Sequence, residues 1–288
     1  MAVELGRPAV GGLGEVVDVL RHWQDDGAGW QLHPGDLGWY WRFGAEATAA
    51  VLRTWSRNGR ILAVGLLDGH ALVRLTIAPD ARHDRELAQR LAEDLTDPDR
   101  GVLGDGGASV EAPMDALLQD LLAEKGWRAD EPWAPLRRDL AEPVKAPDVR
   151  VEVVGPGRAP ARVAVQRASF DNSTFTLDRW RTMAAGPLYA DARCLLAYDE
   201  HGDAVAAVTV WSAGPGRPGL VEPMGVHRDH RGHGHGTAIT VAGAAALREL
   251  GSSSAVVCTP AANAGGVATY RSAGFQPLPG VRDLRRIA

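Results

Sequence analysis

Val221-Glu222-Pro223-Met224-Gly225-Val226-His227-Arg228-Asp229-His230-Arg231-Gly232-His233-Gly234-His235-Gly236 is the stretch around which the chain is organised. An apolar, strand-like run ends at Val226 and a polar turn follows. Glycines then alternate with histidines before an Ala-rich, helix-like run opens at Thr237. Glycine at every second position removes Cβ atoms where a backbone must approach something bulky, and amides at a helix N-terminus carry partial positive charge. Strand, glycine loop and helix together predict an anion site, with a phosphate as its guest.

Three known loops compete for this pattern. A dinucleotide fingerprint counted from Gly232 needs a third glycine where Thr237 stands, and no P-loop sequence occurs in the chain. His227, His230, His233 and His235 suggest a metal, but no Cys lies nearby and a Gly-His alternation gives no fixed ligand geometry, so none is expected. The third pattern is Gln or Arg, two residues, Gly, one residue, then Gly or Ala. Arg231-Gly232-His233-Gly234-His235-Gly236 meets it, and this segment resembles the pyrophosphate loop of the GCN5-related N-acetyltransferases (GNAT). Downstream, Asn263 through Phe275, with Tyr270 and Gly274-Phe275 in register, resembles a second motif of that family. Between the two lie a helix-like run from Thr237 to Leu250, closed by Gly251, and a short β-rich run, Ser254 to Cys258.

The resemblance implies an α/β (α+β) fold in which a mixed, mostly antiparallel sheet is flanked by helices. It also implies acetyl-CoA as cosubstrate. Met224, Gly225 and Val226 would contact the cofactor through main chain, and Arg231, Gly232, His233, Gly234, His235, Gly236 and Thr237 would surround its pyrophosphate. Asn263 would add a hydrogen bond, although capping of the following helix explains it equally well. Pro223 cannot donate to a ladder, so it predicts a bulge or splay in the strand, as the family has there.

The chemistry of acetyl transfer adds two residues. Glu222 is the only ionisable residue from Leu220 to Val226. A carboxylate on a buried strand should have a raised pKa and accept a proton, which makes it the candidate general base unless Arg193 or Arg217 pairs with it. Tyr270 is the candidate acid for the departing thiolate, an unperturbed phenol near pKa 10 being suited to that task. The expected acceptor is the primary amine of a small molecule, with a protein or peptide amine, or a non-catalytic acyl-CoA sensor, as rivals. Asp171 could attract a cationic amine, but Asp171-Asn172-Ser173-Thr174 is also an ordinary loop and helix start. Cys194 and Cys258 lie in strand-like apolar runs and read as small buried hydrophobes, so direct transfer in a ternary complex is expected.

With 288 residues and 45% hydrophobic content the chain is long enough for two domains. No apolar run approaches a membrane span and no signal-like segment opens the chain, so a cytoplasmic protein, monomeric or homodimeric, is expected. Residues 1–148 hold 16 Lys+Arg against 25 Asp+Glu, a net of −9. Residues 149–288 hold 15 against 11, a net of +4. The basic half carries the glycine loop, which suits an anionic cofactor. No basic run interleaved with aromatics points to nucleic acid.

The linker Ala141 to Asp148 separates two similar halves. In the first, Leu13, Val16, Val17 and Leu20 mark a helix, and Ile61–Leu67 and Ala71–Ile77 mark a hairpin. Leu87, Leu91 and Leu95 mark a second helix, Leu117 to Leu122 a third, and Leu136–Leu140 a last strand. Trp30, Trp39, Trp41 and Trp55 lie among turn signals. Ile77 to Asp80 aligns with Val226 to Asp229, so His83, Arg85 and Leu87 stand where the second half has Gly232, Gly234 and Gly236. Their side chains would fill the anion's space. Residues 1–142 are expected to be a degenerate GNAT-like domain that binds no cofactor, and residues 149–288 the catalytic one.

Overall fold

The computed structural model describes residues 2–287, and the elements follow the hydrophobic pattern through most of them. Before the linker the order is β1 (Glu4–Gly6), α1 (Leu13–His22), α2 (Pro34–Tyr40), α3 (Ala45–Val51), β2 (Leu52–Arg57), β3 (Arg60–Leu67), β4 (Leu72–Ile77), α4 (Arg85–Thr96), β5 (Ala108–Glu111), α5 (Leu118–Glu124) and β6 (Arg128–Asp139). After it come β7 (Val151–Val153), α6 (Ala159–Ser169), α7 (Leu177–Ala184), β8 (Ala192–Tyr198), β9 (Ala204–Ser212), β10 (Gly219–Val226), α8 (His235–Glu249), β11 (Ser254–Pro260), α9 (Ala264–Ser272), β12 (Gln276–Pro277) and β13 (Val281–Arg286). The architecture is the expected mixed, mostly antiparallel sheet flanked by helices.

Each half contains one parallel strand pair, made where a crossover helix separates two strands. β4 pairs with β5 from Leu72↔Ser109 to Arg74↔Glu111, and β10 pairs with β11 at Gly219↔Ala255 and Leu220↔Val256. Beyond those residues neither pair continues, so a cleft opens between the strand ends in each half.

The sheet runs β1-β2-β3-β4-β5-β13-β6-β11-β10-β9-β8-β7, with β12 beside β6. The two halves exchange their terminal strands. β6, from before the linker, pairs with the whole length of β11, Ser254↔Asp139 to Pro260↔Trp133, while β13, from the end of the chain, pairs with β5. One sheet thus runs through both halves.

Further packing joins the halves at α2. His33 and Asp36 form a capping box at its start. His33 Nε2 lies 3.0 Å from the Pro218 carbonyl, and burial lowers the ring's pKa to about 4, so the neutral imidazole donates there and accepts from Gly35 at Nδ1. The helix then lies on Trp211 of β9 through two glycines. A Cβ at Gly35 or Gly38 would stand 2.5 or 2.4 Å from that side chain, closer than real carbon atoms approach.

Two stretches depart from the sequence reading. The tryptophan-rich region forms α2, α3 and β2, with Trp55 fully buried and its indole N–H donated to Asp94 at 2.9 Å. The last strand of the first half begins at Arg128, not Leu136. Pro132 and Pro135 argue against a strand interior, yet both are accommodated opposite Arg282 and Cys258.

Candidate active site

β10 supplies the site's axis. Its pairing with β9 slips between Val221 and Met224, so the ladder is broken at Glu222 and Pro223, where the proline predicts an irregularity. Beyond Leu220 the edge of β10 that faced β11 has no strand partner. Met224, Gly225 and Val226 lie along this freed edge. Gly225 is required by close approach: a Cβ there would stand 2.6 Å from that of Ser169.

The glycine loop follows. Gly232 and Gly234 have φ of +83° and +81°, with nothing within 4 Å of a built Cβ, so both turn in the left-handed region beside open space. α8 begins at His235, two residues before the predicted Thr237, placing Gly236 and Thr237 in its first turn. Gly234 caps it without any side-chain hydrogen bond, and the amides of Gly234 to Thr237 meet no acceptor among the described residues. Four free N–H groups at the end of a fifteen-residue helix form an anion cradle. Arg231 and Arg228 lash the loop to the end of α6, donating to the carbonyls of Ser169 and Ala168.

Glu222 stands in a cavity of about 350 Å³ whose wall comes from both halves and includes Tyr270, Cys258, Arg74, Glu111 and Trp30. Burial, the charge of Asp36 and those of Glu111 and Asp68 raise its pKa to about 7, against a lowering by Arg74. Neither Arg193 nor Arg217 pairs with it. Arg193 donates to the Ala192 carbonyl, and Arg217 to carbonyls at the end of α1. The cation near Glu222 is Arg74 of the first half, buried between Asp36 at 2.6 Å and Glu111 at 3.1 Å. Trp211 donates its indole N–H to the Glu222 carbonyl at 2.7 Å, so the glycine face of α2 holds the β10 backbone through one side chain.

Tyr270, on α9, lines the same cavity and is 7% exposed. Its phenol is not unperturbed. Burial, then the charge of Glu222, pushes it well above the usual value, because a buried phenolate beside a carboxylate is doubly disfavoured. Asn263 also lines the cavity, but its side chain is committed to capping. It accepts from Gly266 N–H at 3.0 Å and donates to Thr259 at 3.0 Å. Cys258 faces the cavity, while burial and Glu111 hold its thiol protonated. Asp171 is turned away into an ion pair with Arg228 at 3.2 Å.

Sequence reading missed the first half's share of this wall, Arg74, Glu111 and Trp30, and Asp36, which pairs with Arg74. One signal was present. Arg74 is a lone charge inside the apolar run Leu72 to Ile77, the same feature that marks Glu222.

Residues 164–275 match the model of the acetyltransferase (GNAT) family. This stretch is similar to a GNAT domain. The matched span holds β10, the glycine loop, α8 and Tyr270, while Arg74, Glu111 and Trp30 of the cavity wall lie outside it. No curated protein sequence matches the chain. Among solved structures, a tandem GNAT protein from the clavulanic acid biosynthesis pathway is similar over 99% of this chain and 98% of its own, at a TM-score of 0.64 and 16% identity. A GCN5-related N-acetyltransferase from Sphaerobacter thermophilus is similar over 99% and 95%, at 0.62 and 17%. A GNAT-family acetyltransferase from Colwellia psychrerythraea covers 99% and 98%, at 0.61 and 15%. These likenesses give the tandem GNAT fold for the chain as a whole. Among the described residues no helix is long and apolar enough to cross a membrane.

Proposed function

We propose that the chain is an N-acetyltransferase that moves an acetyl group from acetyl-CoA to a primary amine of a small molecule by direct attack in a ternary complex. Residues 149–288 are the catalytic unit, and residues 1–142 bind no cofactor. One observation carries the reading. A single strand, β10, presents an unpaired carboxylate with a pKa of about 7 at its middle and leads at its end into a helix whose first amides are free.

The residues fit acetyl-CoA. The open space at Gly232 and Gly234 and the free amides of Gly234 to Thr237 suit a pyrophosphate, with Arg231 and His233 beside them. The freed edge of Met224 to Val226 suits an extended arm. Asn263, its side chain spent on the cap, contributes shape to the cleft. When bound, acetyl-CoA supplies the activated acyl group.

Glu222 takes the proton of the acceptor ammonium, a transfer its raised pKa favours near neutral pH. Tyr270 then serves as the proton donor for the leaving sulfur. The two roles are linked by charge. Glu222 is what holds the phenol's proton after burial, so protonating Glu222 removes that restraint and makes Tyr270 a better acid when one is needed. Cys258, held as a thiol, takes no nucleophilic part.

Calorimetric titration with acetyl-CoA, followed by thiol release against a panel of small amines and peptides, tests the reading. One site per chain and turnover on small amines are expected. Binding without turnover on any amine would make the protein an acyl-CoA sensor, and preference for peptides would move the acceptor to protein amines.

A further inference from the structure

The cavity holding Glu222 is electrostatically incomplete. Asp68, Glu111, Glu222 and Asp283 line it, and Arg74 is the only cation that does so. Arg74 is already shared, since Asp36, which is 1% exposed, takes one of its nitrogens and Glu111 another. Glu222 and Asp283 make no ion pair among the described residues. Glu111 Oε1 is buried and has no hydrogen-bond partner. Burial raises the pKa of Glu111 and Asp283 against a lowering by Arg74, and Asp36 and Asp130 respectively add to the rise. Asp68 is exposed, but Glu111, Glu222 and Asp283 are partly buried, and carboxylates withdrawn from water in excess of their cations are costly unless something positive joins them.

A single reacting amine does not fill this deficit, because it must approach Glu222 and lose its charge there. Glu111 and Asp283 come from different strands, β5 and β13, which the strand exchange makes neighbours. Both strands lie across the cavity wall from β10 in the sheet order. The indoles of Trp30 and Trp133, also in the wall, add apolar surface to the cavity.

We propose that the acceptor is a diamine, whose reacting nitrogen lies at Glu222 and whose second, cationic nitrogen is held by Glu111 and Asp283. This inference rests on the function proposed above. The first half then shares in specificity: it supplies Glu111 to the selecting pair, beside Asp283 from the end of the chain.

The test uses the full chain, acetyl-CoA and matched acceptors of one carbon length at a time: alkyl monoamine, amino alcohol, ω-amino acid and α,ω-diamine, from three to six carbons. At the best length the diamine should exceed the monoamine and amino alcohol at least tenfold in kcat/KM, with the ω-amino acid poorest. Glu111→Gln and Asp283→Asn should each bring the diamine-to-monoamine ratio toward one through a rise in KM. Asp283 has no ion pair to break, so its variant separates selectivity from loss of folding, which a thermal melt checks. Direct calorimetry of the diamine and monoamine against the coenzyme A complex gives a readout independent of turnover. Turnover on monoamines and diamines alike, or a preference that survives both substitutions, would overturn the inference and leave the proposed function standing. Diamine binding that is lost in Asp283→Asn, without turnover on any amine, would uphold the site while refuting the transferase reading.

Discussion

The starts of α4 and α8 occupy corresponding places in the two halves, each after a strand end and a short turn, and they differ in what meets their first amides. At α8 the cap is Gly234, φ +81°, with no side chain in reach of the amides. At α4 the cap is Asp84, whose carboxylate accepts from Leu87 N–H at 3.0 Å and is itself held by Arg57 at 2.7 Å. The first half thus carries its own anion where the second leaves room for one. Near the end of β4 in the first half, Thr76 donates to Gln31 at 3.0 Å and Arg82 pairs with Asp115 at 2.8 Å. The two helix starts thus differ in whether a side chain of the same half meets their first amides.

The largest effect should come from giving α8 what α4 has. Gly234→Glu places a carboxylate, in a strained conformation, at the free amides. It should lower acetyl-CoA affinity at least a hundredfold by calorimetry, and unchanged affinity would remove the loop from the cofactor site.

Next is Glu222→Gln, expected to reduce kcat by 10²–10³ with acetyl-CoA affinity retained. In the parent, activity should rise with pH through about 7 as Glu222 ionises, and this limb should vanish in the variant. Arg74 holds that pKa down, so Arg74→Gln should move the limb upward by about one unit. A limb that stays in place would detach the first half from the base. Stability follows the opposite sign. Because the folded pKa lies above the usual 4.5, protonated Glu222 favours the folded state, a contribution fully present below about pH 4.5 and lost as pH rises through about 7.

Tyr270→Phe should slow turnover roughly tenfold while changing affinity little, as measured by initial rates beside calorimetry. If it mainly lowers the melting temperature, Tyr270 is a packing residue. The smallest effect is the converse of the first. Asp84→Ala should cost about 1 kcal/mol of stability through loss of the cap, read by denaturant titration, and leave acetyl-CoA stoichiometry at one. A second site appearing would mean that Asp84 alone closes the first half.

Much of the second half was legible because its chemistry is local. The glycine loop, the charge in a strand and the Asn263 cap each involve residues a few positions apart, and the Pro223 irregularity is a property of one residue. The wall around Glu222 was not legible, because Arg74 and Glu111 reach it from strands far from β10 in sequence, and Asp36 of α2 pairs with Arg74 only in the folded chain. The raised pKa of Tyr270 was hidden for the same reason: burial and a neighbour's charge are properties of the folded chain. β6 was obscured by its prolines, and α2 by glycines that read as turn residues yet are there to admit Trp211.

The exchange of β6 and β13 also bears on how such a chain can change. Residues 128–139 form the strand on which β11 lies, and β11 carries Cys258 and leads to Asn263 and Tyr270. The first half can diverge by substitution, but deleting it would strip β11 of a sheet neighbour. Divergence of the two halves is therefore open to such a lineage, while separation into independent genes is closed unless the strands are first returned.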